Sequence, residues 1–159
     1  MLKQTFVYIM IKVNADKITE IVISGLQATM NAKGRNATQR SISSVYSVFD
    51  DADMVLTFYG ADHWQYIEKG RKPGEKPPYS RILEWCIAKG IPQEAAWAIR
   101  ANIGKYGAPR KIRGTSIDES KLHVIEDTMK EVQPDIIKEL SKDAAASFEA
   151  TIGKQWQSL

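Results

Sequence analysis

The sequence predicts an α+β fold, with a small antiparallel β-sheet packed against N-terminal and C-terminal helices and a Pro/Gly-rich loop and short helices inserted in the middle. Two short runs rich in β-branched and aromatic residues follow each other closely in the first half of the chain. Apolar residues at helical spacing precede and follow them. With 159 residues, 43% hydrophobic and 26% charged, the chain has room for one ordinary core, so we expect residues 1–159 to form a single domain.

The N-terminal part predicts a possible strand followed by a helix. Residues 6–13 alternate and are rich in β-branched and aromatic side chains, as strands are. A helix is predicted over 14–33, because Asn14 suits an N-cap and Gly34 suits a stop. Its apolar stripe consists of Ile18, Ile21, Val22, Leu26 and Met30.

Residues 45–59 predict a β-hairpin. Two strand-like runs, 45–49 and 54–59, flank an acidic turn, Asp-Asp-Ala-Asp. Clustered carboxylates are also calcium ligands, but the segment lacks the glycine and the terminal glutamate of a calcium loop. Aspartate is a common turn residue, so we interpret the cluster as a turn.

Residues 62–107 predict an insertion of one loop and short helices. HWQYIEKG suits a short helix, whereas GRKPGEKPP does not, since its three prolines and two glycines break regular structure. Further helices are predicted over 80–89 and from Pro92 onward. Trp85 and Trp97 fall on apolar stripes of these helices, which favours core positions, and Cys86 is expected to be a small core residue.

C-terminal helices are predicted over 118–152, where apolar residues keep helical spacing. Pro134 falls inside this pattern. A proline either kinks a helix or begins a new one, and we expect two helices that meet near Gln133.

The charge is unevenly distributed. The net charge is +3, but residues 69–113 contain eleven Lys/Arg and three Glu, a net of 11 − 3 = +8, which leaves 3 − 8 = −5 for the remainder. Such asymmetry indicates a face that meets nucleic acid or an acidic partner, or two halves of one molecule that neutralise each other.

Several classes of protein are excluded by simple features. No apolar run approaches the ~20 residues of a membrane span. The short apolar run near the start is interrupted by Lys12 and has no small-residue cleavage site, so we expect a mature sequence made in a cytoplasm. A single cysteine excludes an internal disulfide and a multi-cysteine zinc site.

No catalytic pattern is recognisable, and we predict a protein that is not an enzyme, with no catalytic residue, no metal and no cofactor. The only histidines, His63 and His123, lie in no nucleophile motif. GRKPGEK departs from a phosphate-binding loop, because its second glycine comes early and is followed by Glu75. An unrecognised site near His63, Glu68 and Arg71 stays a weaker alternative.

The segment YIEKGRKPGEKPP, followed by ILEWCIAKGI, resembles the neck or tail-completion proteins of tailed bacteriophages, the head–tail joining family. The similarity covers roughly residues 38–107, although Glu75 stands where a basic residue is common in that family. Matching residues in the expected order are Glu68, Gly70, Arg71, Pro73, Gly74, Pro77, Pro78 and Trp85.

The resemblance implies a non-enzymatic structural subunit of a head–tail connector, neck or tail-completion ring that joins a DNA-filled capsid to a tail. The ring is expected to be a homo-oligomer, hexameric or higher, located in the virion at the head–tail junction and assembled in the host cytoplasm. Its expected partners are the phage connector or adaptor, tail proteins and, transiently and without sequence specificity, genomic DNA. No membrane partner is expected.

Within this interpretation the basic loop is a rigid, protruding arm, held at its root by Glu68 and Tyr79. It docks on a neighbouring subunit, where Arg71 pairs with a carboxylate, or it faces a DNA-containing lumen. The alternative is a stand-alone nucleic-acid-binding module that uses the basic residues of 69–113, although these lie mainly in loops and no recognition helix is evident. The residues expected at the interface or lumen are Tyr66, Glu68, Lys69, Arg71, Lys72, Lys76, Tyr79, Arg110, Lys111 and Arg113.

Overall fold

A computed structural model describes residues 13–35, 38–109 and 116–156, with side chains described up to residue 150. Within these ranges it contains six α-helices and one two-stranded antiparallel sheet, which confirms the predicted α+β class. The predicted strand over 6–13 falls almost wholly outside the described residues, as do Arg110, Lys111 and Arg113. In chain order the elements are α1 (Ala15–Ala32), α2 (Arg40–Ser43), β1 (Tyr46–Asp50), β2 (Val55–Tyr59), α3 (Trp64–Lys69), α4 (Tyr79–Ala88), α5 (Ala95–Tyr106) and α6 (Val124–Trp156).

Helix α1 begins and ends where the sequence indicates. The Asn14 side-chain oxygen accepts a hydrogen bond of 3.1 Å from the Lys17 amide, and Gly34 takes a left-handed φ of 64° just after the helix. The apolar stripe of α1 is buried against α6 and forms most of the main core. Buried members of this core on the two helices are Ile18, Val22, Leu26, Met30, Val124 and Val132.

A buried polar pair also joins α1 to α6. The Thr128 hydroxyl donates to the Thr29 hydroxyl at 2.8 Å, so neither group is left without a partner in the core. The two helices approach closely at Gly25, where an added Cβ would lie 2.5 Å from Val132 Cγ1. Glycine therefore sets the separation of α1 and α6 at this level.

Helix α6 is continuous through Pro134, so the prediction of two helices meeting near Gln133 is wrong. Pro134 removes the hydrogen bond to the Lys130 carbonyl and costs about 3 kcal/mol in a helix interior. It lies on the exposed side of α6, where water can hydrate that carbonyl. Contacts with α1 stabilise α6 on both sides of Pro134. Before the proline, Val132 packs in the core formed with α1, and after it Asp143 accepts a hydrogen bond of 2.7 Å from the Asn14 amide.

The predicted hairpin is present, with Tyr46 paired to Tyr59 at its open end and Asp50 paired to Val55 at its turn. Its inner face packs on the main core through Leu56 and Phe58.

A second, smaller core lies between α4 and α5, where Ile82, Cys86 and Ala96 are buried. Cys86 is fully buried, as predicted. The prediction of core positions for Trp85 and Trp97 is wrong, since their exposed fractions are 36% and 60%. Helix α5 turns Ala96, Ile99 and Ile103 toward α4, and this places Trp97 beside the contact rather than in it.

None of the helices in the described ranges is both long enough and apolar enough to cross a membrane.

Candidate interaction surfaces

The basic loop lies across the end of α5 and does not protrude. We name residues 70–78 the strap. Arg71 and Ala108 exchange two backbone hydrogen bonds, of 2.7 and 2.9 Å, and the Gly74 amide donates to the Gly104 carbonyl at 2.8 Å. Farther along, Arg100 Nε donates to the carbonyl of buried Pro77 at 2.8 Å. The expected arm is therefore a segment fixed at three points along its length.

Glycine is required where the strap meets the chain after α5. Gly107 has a φ of 78° and a ψ of −173°, a region that side chains disfavour, and a Cβ there would overlap the Arg71 carbonyl oxygen. Gly104 is similarly close, because an added Cβ would lie 2.6 Å from Lys76 Cγ. The two backbones can cross at Gly107 because this position carries no side chain, and Gly104 leaves room for the Lys76 side chain.

The Arg71 side chain binds within its own loop. Its guanidinium donates to the Glu75 carbonyl at 2.9 Å from one terminal nitrogen and 3.3 Å from Nε. The same group lies 4.9 Å from the ring centroid of Tyr66, a cation–π distance. In the single chain Arg71 therefore contacts the strap and Tyr66 of α3, and its expected pairing with a neighbour's carboxylate stays a prediction.

Glu68 caps helix α6 from the end of α3. Its carboxylate accepts the amides of Ile125 and Glu126 at 2.8 and 3.4 Å, and its carbonyl accepts the His123 amide at 3.0 Å. The first amides of a helix have no partner within the helix, and a carboxylate there is also favoured by the helix dipole. Glu68 therefore connects the strap's root to the main core.

Tyr79, at the other end of the strap, stacks on Trp97 with ring centroids 4.3 Å apart. The Arg100 guanidinium lies 5.8 Å from the Trp97 ring centroid. Trp97, although stacked on one side, keeps 60% of its surface exposed. Tyr79, Trp97 and Arg100 make an aromatic and basic platform, which we name the Trp97 platform.

The lysines of the predicted site remain on the surface. Lys69, Lys72 and Lys76 are exposed, and the bond between Gly74 and Gly104 brings exposed Lys105 close to the strap. Together they form a basic patch on the strap and the end of α5. Arg110, Lys111 and Arg113, predicted to belong to the same surface, lie outside the described residues.

The residues of the alternative catalytic site have separate partners. His63 Nε2 lies 2.8 Å from the Ser41 hydroxyl, whereas Glu68 caps α6 and Arg71 bonds within the strap. Burial, followed by the charge of Arg40, lowers the pKa of His63. Within the described residues no carboxylate is hydrogen-bonded to its ring, so the third member of a triad is missing there. The Ser41–His63 contact ties α2 to α3.

Glu68, His123 and Glu126 present three potential metal-ligand atoms within 4.8 Å of one another. The carboxylates already have partners, since Glu68 accepts helix amides and Glu126 accepts a 2.7 Å bond from Lys130. That bond also lowers the pKa of Glu126. We interpret the group as the capped start of α6.

The outer face of the hairpin is the surface that the sequence analysis missed. Its large side chains are 47–58% exposed, and Tyr46 and Tyr59 stack with ring centroids 5.1 Å apart. Contiguous exposed apolar side chains mark contact surfaces in many proteins. A signal was present, because both strands carry apolar residues on both faces where a solvated hairpin shows a polar outer face. The apolar members of this face are Tyr46, Val48, Val55 and Tyr59, and Asp50 and Thr57 complete it.

A scan against family models finds no match, and searches of curated proteins and of solved structures find no significant match either.

Proposed function

We propose that this protein is a non-enzymatic structural subunit of the ring that joins capsid to tail in a tailed bacteriophage, at the connector, neck or tail-completion level. In this role it contacts copies of itself, the connector or adaptor, and tail proteins. The proposal extends the resemblance carried by YIEKGRKPGEKPP. The observation that supports it best is the strap, a rigid basic surface.

A rigid contact surface lowers the cost of assembly. Docking a flexible loop immobilises side chains at roughly 0.5–1.5 kcal/mol each, and ordering the backbone adds to this cost. The bonds at Arg71, Gly74 and Pro77 have already fixed the strap in the isolated chain. Its exposed lysines are therefore presented in a defined arrangement before a partner arrives.

The chain also has an acidic surface that suits the strap. Glu131 and Asp135 lie one turn apart on α6 and are both exposed. A ring needs two different faces of each subunit to meet, and a basic strap against the acidic α6 of the next subunit satisfies this requirement. The strap supplies Lys72 and Lys76 for that contact.

Light scattering on the purified protein tests this contact. We expect a ring-sized species without DNA, which Lys72→Glu with Lys76→Glu dissociates. Adding Glu131→Lys and Asp135→Lys to that variant should restore it, because the charges are exchanged rather than lost. Reversing Lys138 and Lys142, two exposed lysines of α6, is the matched control and should leave the ring intact.

Arg71→Glu is unsuitable here, since Arg71 holds the strap itself. A wild-type protein that stays monomeric over the whole concentration range, alone and with connector protein, overturns the proposal.

A second candidate function, single-stranded nucleic-acid binding, is favoured by the Trp97 platform. An exposed indole beside basic groups suits stacking of a base, which contributes about 1–3 kcal/mol per base. This function predicts a gain of mass only with DNA, an affinity that falls steeply with salt, and a loss of roughly 10- to 100-fold for Trp97→Ala. A DNA-independent ring that Trp97→Ala leaves intact favours the structural role.

A further inference from the structure

Helix α6 carries a second apolar face, beside the one that packs on α1. Successive helix residues point about 100° apart, which places the members of this face within about 80° of one another. Its three large side chains, Ile137, Leu140 and Phe148, are 37–54% exposed. Half-buried Ala144 lies between Leu140 and Phe148 on the same side. We name these four residues the α6 face.

The α6 face continues past the beginning of α1. Asp143 accepts the Asn14 amide at 2.7 Å, so it lies level with the start of α1. Helix α6 continues to Trp156, about 20 Å beyond Asp143. Phe148 therefore lies on a part of the helix that α1 does not cover.

The groups around the α6 face can be buried without loss of hydrogen bonds. Ser141 and Ser147 flank it on its two sides, and their hydroxyls donate to the carbonyls of Ile137 and Asp143, each at 2.8 Å. A buried hydroxyl is costly only where it has no partner, and these two have one within their own helix. The charged residues between positions 137 and 148 point at least about 100° away from the middle of the face. The face therefore suits an uncharged, apolar partner, which excludes the strap and nucleic acid.

The spacing of the α6 face makes it complementary to itself. In an antiparallel helix pair with a two-fold axis near residue 142, Leu140 lies opposite the partner's Ala144, and Ile137 lies opposite the partner's Phe148. Each copy then supplies a large side chain where the other has a small one, so the helices can approach closely. In a parallel pair the two Ala144 residues would face each other and leave a gap.

We propose that the α6 face binds the α6 face of a second copy of this chain, in an antiparallel two-fold contact. The contact spans about 18 Å of helix and buries roughly 400 Å² per copy, about half the area of a typical stable interface. The dimer is therefore weak, with a dissociation constant in the micromolar range or above. It goes beyond the proposed ring, because Glu131 and Asp135 lie on nearly the opposite side of α6.

Sedimentation equilibrium of the variant with Lys72→Glu and Lys76→Glu isolates this contact, because that variant lacks the charges of the proposed ring contact. We expect its mass to rise from one copy toward two between about 1 µM and 1 mM. Adding Ile137→Glu should weaken the dimer by at least about 100-fold, since each dimer would bury two carboxylates. Ile87→Glu, at an isoleucine of α4 that is 58% exposed, is the matched control and should leave the dimer intact.

The outcomes separate this contact from the ring. A lysine variant that stays monomeric throughout overturns the α6 contact, even where the wild type forms a ring. A lysine variant that dimerises supports it, even where the wild type forms no ring. Ile137 is more than half exposed, so Ile137→Glu should keep the Tm of the dilute monomer. A large fall in that Tm, in a protein that never dimerises, shows that the same chain covers the face, which also overturns the proposal.

Disulfide crosslinking tests the antiparallel orientation. Ile137→Cys mixed with Phe148→Cys should crosslink on mild oxidation, because these positions lie opposite each other, whereas neither variant alone should. Cys86 is fully buried, so the introduced thiols react selectively. Crosslinking within either single variant indicates a parallel pair and overturns the orientation. A mixture that does not crosslink overturns the contact.

Discussion

Replacing Gly25 with alanine tests the close approach of α1 and α6. The added methyl carbon would lie 2.5 Å from Val132 Cγ1 and 3.0 Å from Thr128 Cγ2. Carbon atoms in contact prefer about 3.5–4.0 Å, so the structure has to open by roughly 1 Å. Val132 is β-branched and stiff in a helix, so it cannot easily turn aside.

Two effects of opposite sign decide the result. Alanine is better than glycine in a helix interior by about 1 kcal/mol. Overpacking a core contact costs about 1–3 kcal/mol, and at a shortfall near 1 Å we expect the upper part of that range. Gly25→Ala should therefore destabilise the protein by roughly 1–2 kcal/mol in spite of its helix propensity, which corresponds to a fall in Tm of about 2–8 °C.

Urea unfolding of the wild type and four variants measures these terms. Ala28→Gly, at an exposed position of the same helix, gives the propensity difference alone. Val132→Ala makes room for the new methyl group, so the double variant with Gly25→Ala should be more stable than additivity predicts, by about 1–2 kcal/mol. A Gly25→Ala protein that is more stable than the wild type by the Ala28 value would refute the close approach.

Three further predictions concern the Lys33–Asp127 ion pair, His63, and the crossing of Arg71 and Ala108. The Lys33 side chain is 15% exposed, and its ammonium group donates to the Asp127 carboxylate and the Leu122 carbonyl, each at 2.6 Å. Lys33→Met should therefore lower the free energy of unfolding by about 1.5–3 kcal/mol. A loss below about 0.5 kcal/mol contradicts this. The pKa of folded His63 lies below its unfolded value near 6.5, so the stability that neutral His63 contributes is present above that pH and is lost as pH falls below it. Tm should therefore drop more between about pH 7.5 and 5 in the wild type than in His63→Gln. Equal drops in the two proteins argue against this role of His63. Gly107→Ala should cost at least about 2 kcal/mol in thermal or urea unfolding and expose Arg71 to amide exchange, whereas a neutral effect contradicts the crossing.

Local signals predict the elements whose stability is local. The stripe of α1, its Asn14 cap and its Gly34 stop follow directly from residue spacing, and the structure has them as expected. Pro134 shows the limit of such signals. The proline disfavours a continuous helix, but packing on α1 before and after it outweighs that preference, and no pattern within α6 reveals the packing.

The candidate site was less predictable because its geometry is made by distant backbone groups. The sequence predicts Arg71 as a cation available to a partner. In the structure its guanidinium donates to the Glu75 carbonyl, in a turn that the sequence does not specify. The pairing with Ala108 joins residues 37 positions apart (108 − 71 = 37). Glycines at 104 and 107 hint at a close crossing, but they do not name its partner. The exposure of Trp97 was also not predictable from spacing alone. Successive helix residues point about 100° apart, so Ala96 is buried against α4 while Trp97 is exposed.

The crossing of Arg71 and Ala108 has a mechanical consequence. Two passages of chain join the α4–α5 pair to the rest of the fold, one through the strap and one after α5, and the backbone hydrogen bonds between Arg71 and Ala108 tie these passages together. An exposed ion pair of 2.9 Å between Arg40 of α2 and Glu84 of α4 adds a further connection. A single connecting segment would allow the α4–α5 pair to rotate about it, whereas two hydrogen-bonded segments restrict that rotation. A force applied at Trp97 would therefore reach Glu68 through the strap, and from there the first turn of α6, which the Glu68 carboxylate caps.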